Sequence, residues 1–131
     1  MAHKLLLPGG DLEYAVLLAL FDCGSASGRE IHERVGRPSS LVYTTIAKVL
    51  DRLVVKRLVR RKKVGKAFVY RPNLERAVLD RARARDSLKW LVGPAPVPAM
   101  AALVDAVESL DPDLLDALAK KIAEKRSRRG S

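Results

Sequence analysis

The 131-residue chain has 25 Lys and Arg against 15 Asp and Glu, for a net charge of +10, and 48% of its residues are hydrophobic. This length suits one domain, or one small domain with an appendage, and the apolar fraction excludes disorder over most of the sequence. The positive charge favours a polyanionic partner, either nucleic acid or an anionic membrane surface. Apolar stretches such as "YAVLLALF" are too short to cross a bilayer, which predicts a cytoplasmic protein without a membrane partner.

Cysteine and histidine usage argues against metal chemistry. Cys23 is the single cysteine, so the chain cannot form an internal disulfide or a cysteine zinc site, and His3 and His32 have no metal-ligand spacing. Asp11 and Glu13 stand in the first turn of a predicted helix, where acids complement the helix dipole rather than form a catalytic pair. The sequence therefore predicts no metal, no cofactor, no catalytic residues and no enzymatic activity.

Three helical patterns follow one another in the first half of the chain. "DLEYAVLLALFDC" has apolar residues at helical spacing before Gly24. "SGRE" is a capping-box pattern, because Ser27 can cap a second helix and Glu30 can return the bond. That helix is predicted to end near Gly36, and "GRPSS" then begins a third helix that runs to about Lys56. The predicted core-facing stripe of the third helix is Val42, Ile46, Val49, Leu50 and Leu53.

Two short β-prone segments follow the third helix. "LVRRKK" and "AFVYR" are joined by "VGK", in which Gly65 can take the positive φ of a tight turn. Three helices and then a basic β-hairpin are the parts of a winged helix-turn-helix, in which the third helix enters the DNA major groove. The predicted fold is therefore mainly α with a small β-hairpin wing, and the winged helix-turn-helix N-terminal domain covers residues 1–73.

The C-terminal half, residues 74–131, is predicted to be a helical dimerisation region. "LERAVLDRARARDSLKWLV" is a fourth helix with Val78, Leu79, Ala82 and Leu91 inward, followed by a Pro-rich joint at 93–98. Two further helices with apolar stripes come next, before a frayed basic C-terminal tail. Because such short helices cannot bury their stripes alone, self-association is expected. The residues predicted at the dimer interface are Trp90, Met100, Leu103, Val104, Val107, Leu114, Leu115, Leu118 and Ile122.

The exposed face of the third helix is chemically suited to the edges of bases. Thr44 and Thr45 can donate and accept hydrogen bonds and offer a methyl group to thymine, while Lys48 can reach guanine acceptors or a phosphate. Taken alone, these side chains are also typical of a solvated helix face. The basic hairpin beside them favours nucleic acid.

Residues 48–71 hold ten Lys or Arg and one acid, Asp51. A solubilising surface usually interleaves acids, and none lies around the hairpin turn, where repulsion between cations would be relieved by phosphates. Double-stranded DNA is the preferred partner, because the hairpin offers only Phe68 and Tyr70 for base stacking. The residues predicted to bind phosphate are Ser39, Ser40, Arg52, Arg60, Arg61, Lys62, Lys63 and Lys66.

The segments "GDLEYAVL", "YTTIAKVLDRL", "LVRR", "VGK" and "YRP" resemble, in this order, the penicillinase-repressor (BlaI/MecI) family. The resemblance is close over residues 10–72 and covers the helical tail in outline. It implies a dimeric winged-helix repressor whose N-terminal domains bind an inverted-repeat operator and whose C-terminal helices form the dimer. It also implies phosphate contacts from the wing and base contacts from the start of the third helix. The residues predicted to read bases are Tyr43, Thr44, Thr45 and Lys48.

The chain departs from that family pattern at both ends of the third helix. Val42 stands where the family often has Ser and cannot cap, so Ser39 or Ser40 is expected to cap a helix that begins earlier. Arg57 stands where the family commonly has Gly, and a left-handed conformation there would cost about 1 kcal/mol relative to Gly, so a different exit from the helix stays open. The family's Asn-Phe cleavage bond and the cysteine pairs of its copper-responsive branch are both absent. An inducing protease or ligand is therefore not identifiable from the sequence.

The sequence thus predicts a sequence-specific DNA-binding transcriptional repressor that acts as a homodimer on a palindromic operator. Three alternatives stay open. The same basic wing would serve an RNA- or ribosome-associated winged-helix protein, and a basic dimer would serve nonspecific coating of DNA. A regulator of the multidrug-response type would additionally need a small-molecule pocket at the dimer interface.

Overall fold

The structure is a computed structural model that describes residues 8–130, so His3 lies outside the described residues. The chain divides into two compact units, Met1–Ala84 and Arg85–Ser131. In the first unit an antiparallel three-stranded sheet of order β1-β3-β2 accompanies the helices. The elements are α1 (Asp11–Cys23), β1 (Ala26–Ser27), α2 (Gly28–Ile31), α3 (Tyr43–Val55), β2 (Val59–Val64), β3 (Ala67–Pro72), α4 (Arg76–Val92), α5 (Pro96–Leu110) and α6 (Pro112–Arg129).

Helix α1 supplies one wall of the core. It ends at Cys23, and the following residue, Gly24, caps it with a φ of 81°, a conformation that favours glycine. The helical spacing seen in the sequence leaves Val16, Leu17 and Leu20 without solvent exposure. These side chains belong to one apolar cluster that also contains the buried residues of α3 and the start of β2. The predicted first helix is confirmed.

The capping box at α2 is formed as predicted. The Glu30 backbone N–H donates to Ser27 Oγ over 3.2 Å, and the Ser27 N–H donates to Glu30 Oε1 over 3.1 Å. The helix continues through a π-helical turn, His32–Gly36, and a 3-10 turn, Arg37–Ser39. Strand β1, which the sequence analysis missed, precedes α2 and pairs with β3. Two residues are too short for a period-2 pattern to reveal a strand.

The entrance of α3 differs from the prediction. Val42 itself is the N-cap residue, no side chain caps the helix, and neither Ser39 nor Ser40 begins it earlier. Ser40 takes a left-handed conformation with a φ of 57°, and the Leu41 N–H then donates to Gly36 O over 2.8 Å. This turn packs Leu41 against the core and leaves Val42 63% exposed. The predictions that Val42 faces the core and that a serine caps the helix are wrong.

The exit of α3 is a Schellman motif with Arg57 in the left-handed position, at a φ of 63°. The Arg57 N–H donates to Val54 O and the Leu58 N–H to Leu53 O, both over 3.0 Å, which is the bonding pattern of that motif. Asn73 supports the turn, because its Nδ2 donates to Arg57 O over 3.1 Å. The helix therefore ends in the left-handed exit and not in a different one, and an arginine occupies a position that favours glycine.

Replacing Arg57 with Gly is expected to raise the free energy of unfolding by about 1 kcal/mol, because glycine adopts this φ without the Cβ clash. Urea denaturation would measure the change. Arg57→Ala is the matched control: it removes the same charge and retains the Cβ, so it should give no comparable gain. An equal gain from both variants would assign the effect to charge rather than to backbone conformation.

The N-terminal half of α4 belongs to the first unit. Leu79 has no solvent exposure, and the Arg83 guanidinium lies 3.6 Å from the centroid of the Tyr14 ring on α1. These contacts join the start of α4 to the first compact unit, which ends at Ala84. Val78 and Leu91 are 38% and 42% exposed, so their predicted burial is wrong.

In the second unit, helix α4 is followed by a break of three residues and then by α5 and α6, which contact each other. Asp111 caps α6 by accepting from the Asp113 N–H over 2.9 Å. The predicted Pro-rich joint is shorter than expected, because Pro96 and Pro98 lie in the first turn of α5. Likewise, the predicted frayed tail is helical as far as Arg129.

No single helix of residues 8–130 is long and apolar enough to span a membrane; helices α4 and α5 meet the length and composition limits only when they are taken together as a bent pair.

Candidate nucleic-acid interface

One side of α3 presents a polar face to solvent. Thr44, Lys48 and Asp51 are exposed, and with 100° per residue they fall within an arc of about 60°. Ile46, Val49, Leu50 and Leu53 point the other way and have no exposure. Thr45 is half-buried at the edge of the face. The face therefore offers two hydroxyl groups and one ammonium group, and its single acid is Asp51.

Tyr43 lies at the first position of α3, against α2. Its ring meets the His32 ring edge-on, with the centroids 6.1 Å apart, and His32 Nε2 is hydrogen-bonded to Leu41 O over 2.8 Å. A Cβ added to Gly28 would lie 2.9 Å from the Tyr43 hydroxyl, so the glycine permits this close approach. Tyr43 as a whole is 45% exposed. One side of the Tyr43 side chain therefore packs against His32 and Gly28, and the other side faces solvent.

The wing is a hairpin whose two faces differ. Val59 pairs with Pro72 and Arg61 with Tyr70 across the strands, and Val59 and Tyr70 are buried. Alternation along β2 therefore places Arg61 on the inner face, toward the helices. Gly65, with a φ of 63°, makes the turn as predicted. The cations of β2 divide between an outer face, with Arg60 and Lys62, and an inner face, with Arg61 and Lys63.

Arg61 differs from the other wing cations in having partners within the chain. Its Nη1 lies 3.1 Å from Asp51 Oδ1 on α3, and its guanidinium carbon lies 4.4 Å from the centroid of the Phe68 ring. The Arg61 side chain is 38% exposed and that of Asp51 61% exposed. The wing and α3 therefore share an ion pair at the surface where both would meet a ligand.

Glu13 is the buried charged residue of the described chain, and it joins α1 to the end of α3. Its Oε1 accepts from Lys56 Nζ over 2.8 Å, and its Oε2 lies 3.5 Å from Arg52 Nε. Burial acts to raise the pKa of Glu13, but hydrogen bonds from Lys56 and the Gly9 backbone, with the charges of Lys56 and Arg52, outweigh it and lower the pKa below its ordinary value. The carboxylate is therefore ionised at neutral pH, and its ion pair with Arg52 partly neutralises the charge of that guanidinium group.

Replacing Glu13 with Gln is expected to lower the free energy of unfolding at pH 7 by about 2 kcal/mol. Roughly 3–5 kcal/mol is typical when a fully buried pair is broken, and the exposure of Arg52 reduces it here. The lowered pKa also sets the pH dependence: the stabilisation is full above the unfolded value of about 4.3 and is lost as pH falls through the lower folded value.

Urea denaturation of wild type and Glu13→Gln between pH 7 and pH 3 would measure this difference. The two curves should converge toward acid pH, since the protonated acid can no longer pair with Lys56. Asp80→Asn is the matched control, because Asp80 forms a pair with Arg76 in which both side chains are about half exposed. A constant difference between wild type and Glu13→Gln across that range would contradict an ionic role for Glu13.

The remaining residues predicted to bind phosphate are at the surface. Six of them are exposed: Ser39, Ser40, Arg60, Lys62, Lys63 and Lys66. The Arg52 side chain is also partly exposed, but it forms an ion pair with Glu13. Sequence reasoning missed two site residues, Asp51 as the partner of Arg61 and Glu13 as the partner of Lys56. Asp51 could have been found from the sequence, because it is the one acid among the ten cations of residues 48–71. The pairing of Glu13 could not, because 43 residues separate it from Lys56.

The residues predicted at a dimer interface lie on the helices of the second unit. No residue of α5 or α6 is buried. Trp90 is 87% exposed, while Val104, Leu114 and Ile122 are between 43% and 49% exposed. The half-buried members are Met100, Leu103, Val107, Leu115 and Leu118.

Among residues 8–130, no cluster of three or more His, Cys, Asp or Glu side chains has a geometry that could hold a metal ion.

The chain is similar to known proteins in sequence and in structure. Residues 9–124 match the family model described as penicillinase repressor. The chain is 33% identical over 123 residues to the transcriptional regulator BlaI of two Mycobacterium tuberculosis strains, CDC 1551 / Oshkosh and H37Rv, covering 93% of this chain and 88% of the relative. Among solved structures, it is similar to the DNA-binding domain of the repressor BlaI, with a TM-score of 0.50, 27% identity, and 56% of this chain and 92% of that chain covered. The PcaV transcriptional regulator from Streptomyces coelicolor gives a TM-score of 0.49 at 25% identity, over 79% of this chain and 74% of that one.

Proposed function

The chain belongs to the penicillinase repressor family of DNA-binding transcriptional repressors, and on that premise we propose that it represses transcription as a homodimer bound to a palindromic operator. The observation that carries this proposal is the juxtaposition of the polar face of α3 with the basic wing, tied by the ion pair between Asp51 and Arg61. The repressor is proposed to act in the cytoplasm, and its function requires no enzymatic activity.

In this proposal α3 enters the major groove. Thr44, Thr45 and Lys48 contact base edges, since hydroxyl groups and an ammonium group match the donors and acceptors displayed there. Tyr43 contacts the DNA at the start of α3 with its solvent-exposed side, while its other side packs against His32 and Gly28.

Phosphate binding is assigned to the cations and hydroxyl groups that flank α3. The exposure of Arg60 and Lys62 on the outer wing face, and of Lys63 and Lys66 near its turn, supports these contacts. Ser39 and Ser40 lie in the turn before α3 and are proposed to contact the backbone there. Arg52 contributes the exposed part of its guanidinium group.

The apolar stripes of the second unit support self-association. Val104, Leu114 and Ile122 are each about half exposed within one chain, and short amphipathic helices gain stability when such faces are covered. Trp90, 87% exposed, is the largest apolar side chain available for that contact. Two copies joined here would present two α3 helices to successive major grooves about one helical turn apart.

Competition at fixed salt between a selected operator, random duplex DNA, duplex RNA and single strands tests the function. The operator, recovered by selection from a random duplex pool, should win by on the order of 10³-fold over random duplex. Preference for RNA would favour the RNA- or ribosome-associated alternative, and equal affinity for every duplex would favour nonspecific coating. A small molecule that releases the operator would favour a regulator of the multidrug-response type.

A further inference from the structure

We propose that Asp51 and Arg61 form a brace that sets the wing at a fixed angle to α3, so that Asp51 is a positioning residue for the wing and Arg61 is not one of its phosphate ligands. The inference rests on the proposed contacts of the wing with phosphates. It concerns how those contacts are coordinated with base reading by α3.

The geometry of the ion pair carries the first step. Arg61 is on the inner face of β2, where the cross-strand partner is the buried Tyr70, so its side chain is directed toward the helices. Its Nη1 reaches Asp51 Oδ1 at 3.1 Å while the guanidinium covers the Phe68 ring. Two partners on different elements restrict this side chain more than a surface ion pair alone would.

The position of Asp51 carries the second step. It lies on the same exposed face as Thr44 and Lys48, where an unpaired carboxylate would repel the phosphates that the neighbouring cations attract. Pairing with Arg61 neutralises that charge. The pair thus removes a repulsion between Asp51 and phosphates at the polar face of α3. The same ion pair holds strand β2 of the wing against α3.

Arg60 and Lys62 provide the contrast on the same strand. They alternate with Arg61 and point to the outer face, and all three side chains are exposed. A wing in which every cation bound phosphate would give each of the three an equivalent role. The brace instead predicts that Arg61 acts through Asp51 and that Lys62 acts on DNA independently of Asp51.

A double-mutant cycle in operator affinity tests this difference. Arg61→Gln and Lys62→Gln each remove one charge from neighbouring positions of β2, and each is combined with Asp51→Asn. Arg61→Gln should weaken operator binding on the order of fivefold in wild type and should have almost no effect in the Asp51→Asn background. Lys62→Gln should weaken binding by the same factor in both backgrounds.

The salt dependence of binding separates positioning from direct contact. Lys62→Gln should lower the slope of log affinity against log salt by about 0.9 per half-site, and Arg61→Gln should leave the slope unchanged. Asp51→Asn should lower the ratio of operator to random affinity, because it breaks the same brace. Thermal unfolding should change little, since the pair is exposed at the surface.

Several results would overturn the brace. Additive losses for Arg61→Gln and Asp51→Asn, with a slope change equal to that of Lys62→Gln, would make Arg61 a phosphate ligand. A loss in Asp51→Asn limited to operators with one particular cytosine would make Asp51 a base-reading residue. Silence of both Arg61→Gln and Lys62→Gln would reject the wing contact itself, and the brace with it.

Discussion

Replacing Thr44 and Lys48 together with Ala is expected to reduce operator affinity on the order of a thousandfold, close to the affinity for random duplex. Both side chains lie on the exposed face of α3, and each base contact typically contributes about 1–3 kcal/mol. A homodimer would lose these contacts in both half-sites. Binding titrations with operator and random duplex at the same salt concentration would measure the two losses.

The control for this experiment removes the same chemistry elsewhere. Ser109→Ala with Lys120→Ala deletes one hydroxyl group and one charge from α5 and α6, and operator affinity should change little. The decisive quantity is the ratio of operator to random affinity. If the Thr44 and Lys48 variant lost affinity equally for both duplexes, these side chains would be phosphate contacts, and the prediction that α3 reads bases would be wrong.

Replacing Ile122 with Asp is expected to convert the proposed homodimer to monomers, with the dissociation constant rising on the order of a thousandfold. Ile122 lies on the apolar stripe of α6 and is 49% exposed in the single chain. A carboxylate placed in that stripe would be buried without a partner in the assembly, which costs roughly 3–5 kcal/mol. Sedimentation at micromolar concentration would report the mass.

Ala123→Asp tests whether the position rather than the charge is responsible. It introduces the same carboxylate one residue later, about 100° around the helix and away from the stripe, so the assembly should persist. Operator affinity should follow the mass in both variants, because a monomer binds one half-site. An Ile122→Asp protein with the wild-type mass would exclude this face of α6 as the interface.

The winged helix-turn-helix was predicted correctly from the sequence, because the residues that begin its helices and make its turns act through local contacts. Ser27 and Glu30 form their capping box within one turn, and Gly65 makes the hairpin turn. The family resemblance, carried by short segments from "GDLEYAVL" to "YRP", is confirmed by the match over residues 9–124. Each of these signals needs only neighbours in the chain.

The errors occurred where the outcome depends on one backbone torsion or on distant contacts. The left-handed conformation of Ser40 decides that Leu41, and not Val42, packs on the core, and no periodicity encodes that choice. Glu13 stands in the first turn of α1, where an acid suits the helix dipole. Its pairing with Lys56 depends on how α1 and α3 pack.

The short strand β1 couples the wing to helix α2 within the DNA-binding unit. Ser27 pairs with Val69 of β3, and the same residue caps α2. The wing strand is thereby continuous, through one residue, with the first helix of the helix-turn-helix. A wing displaced by its phosphate contacts would strain the cap of α2, so local opening of the wing and unwinding of α2 should occur together as a single cooperative event.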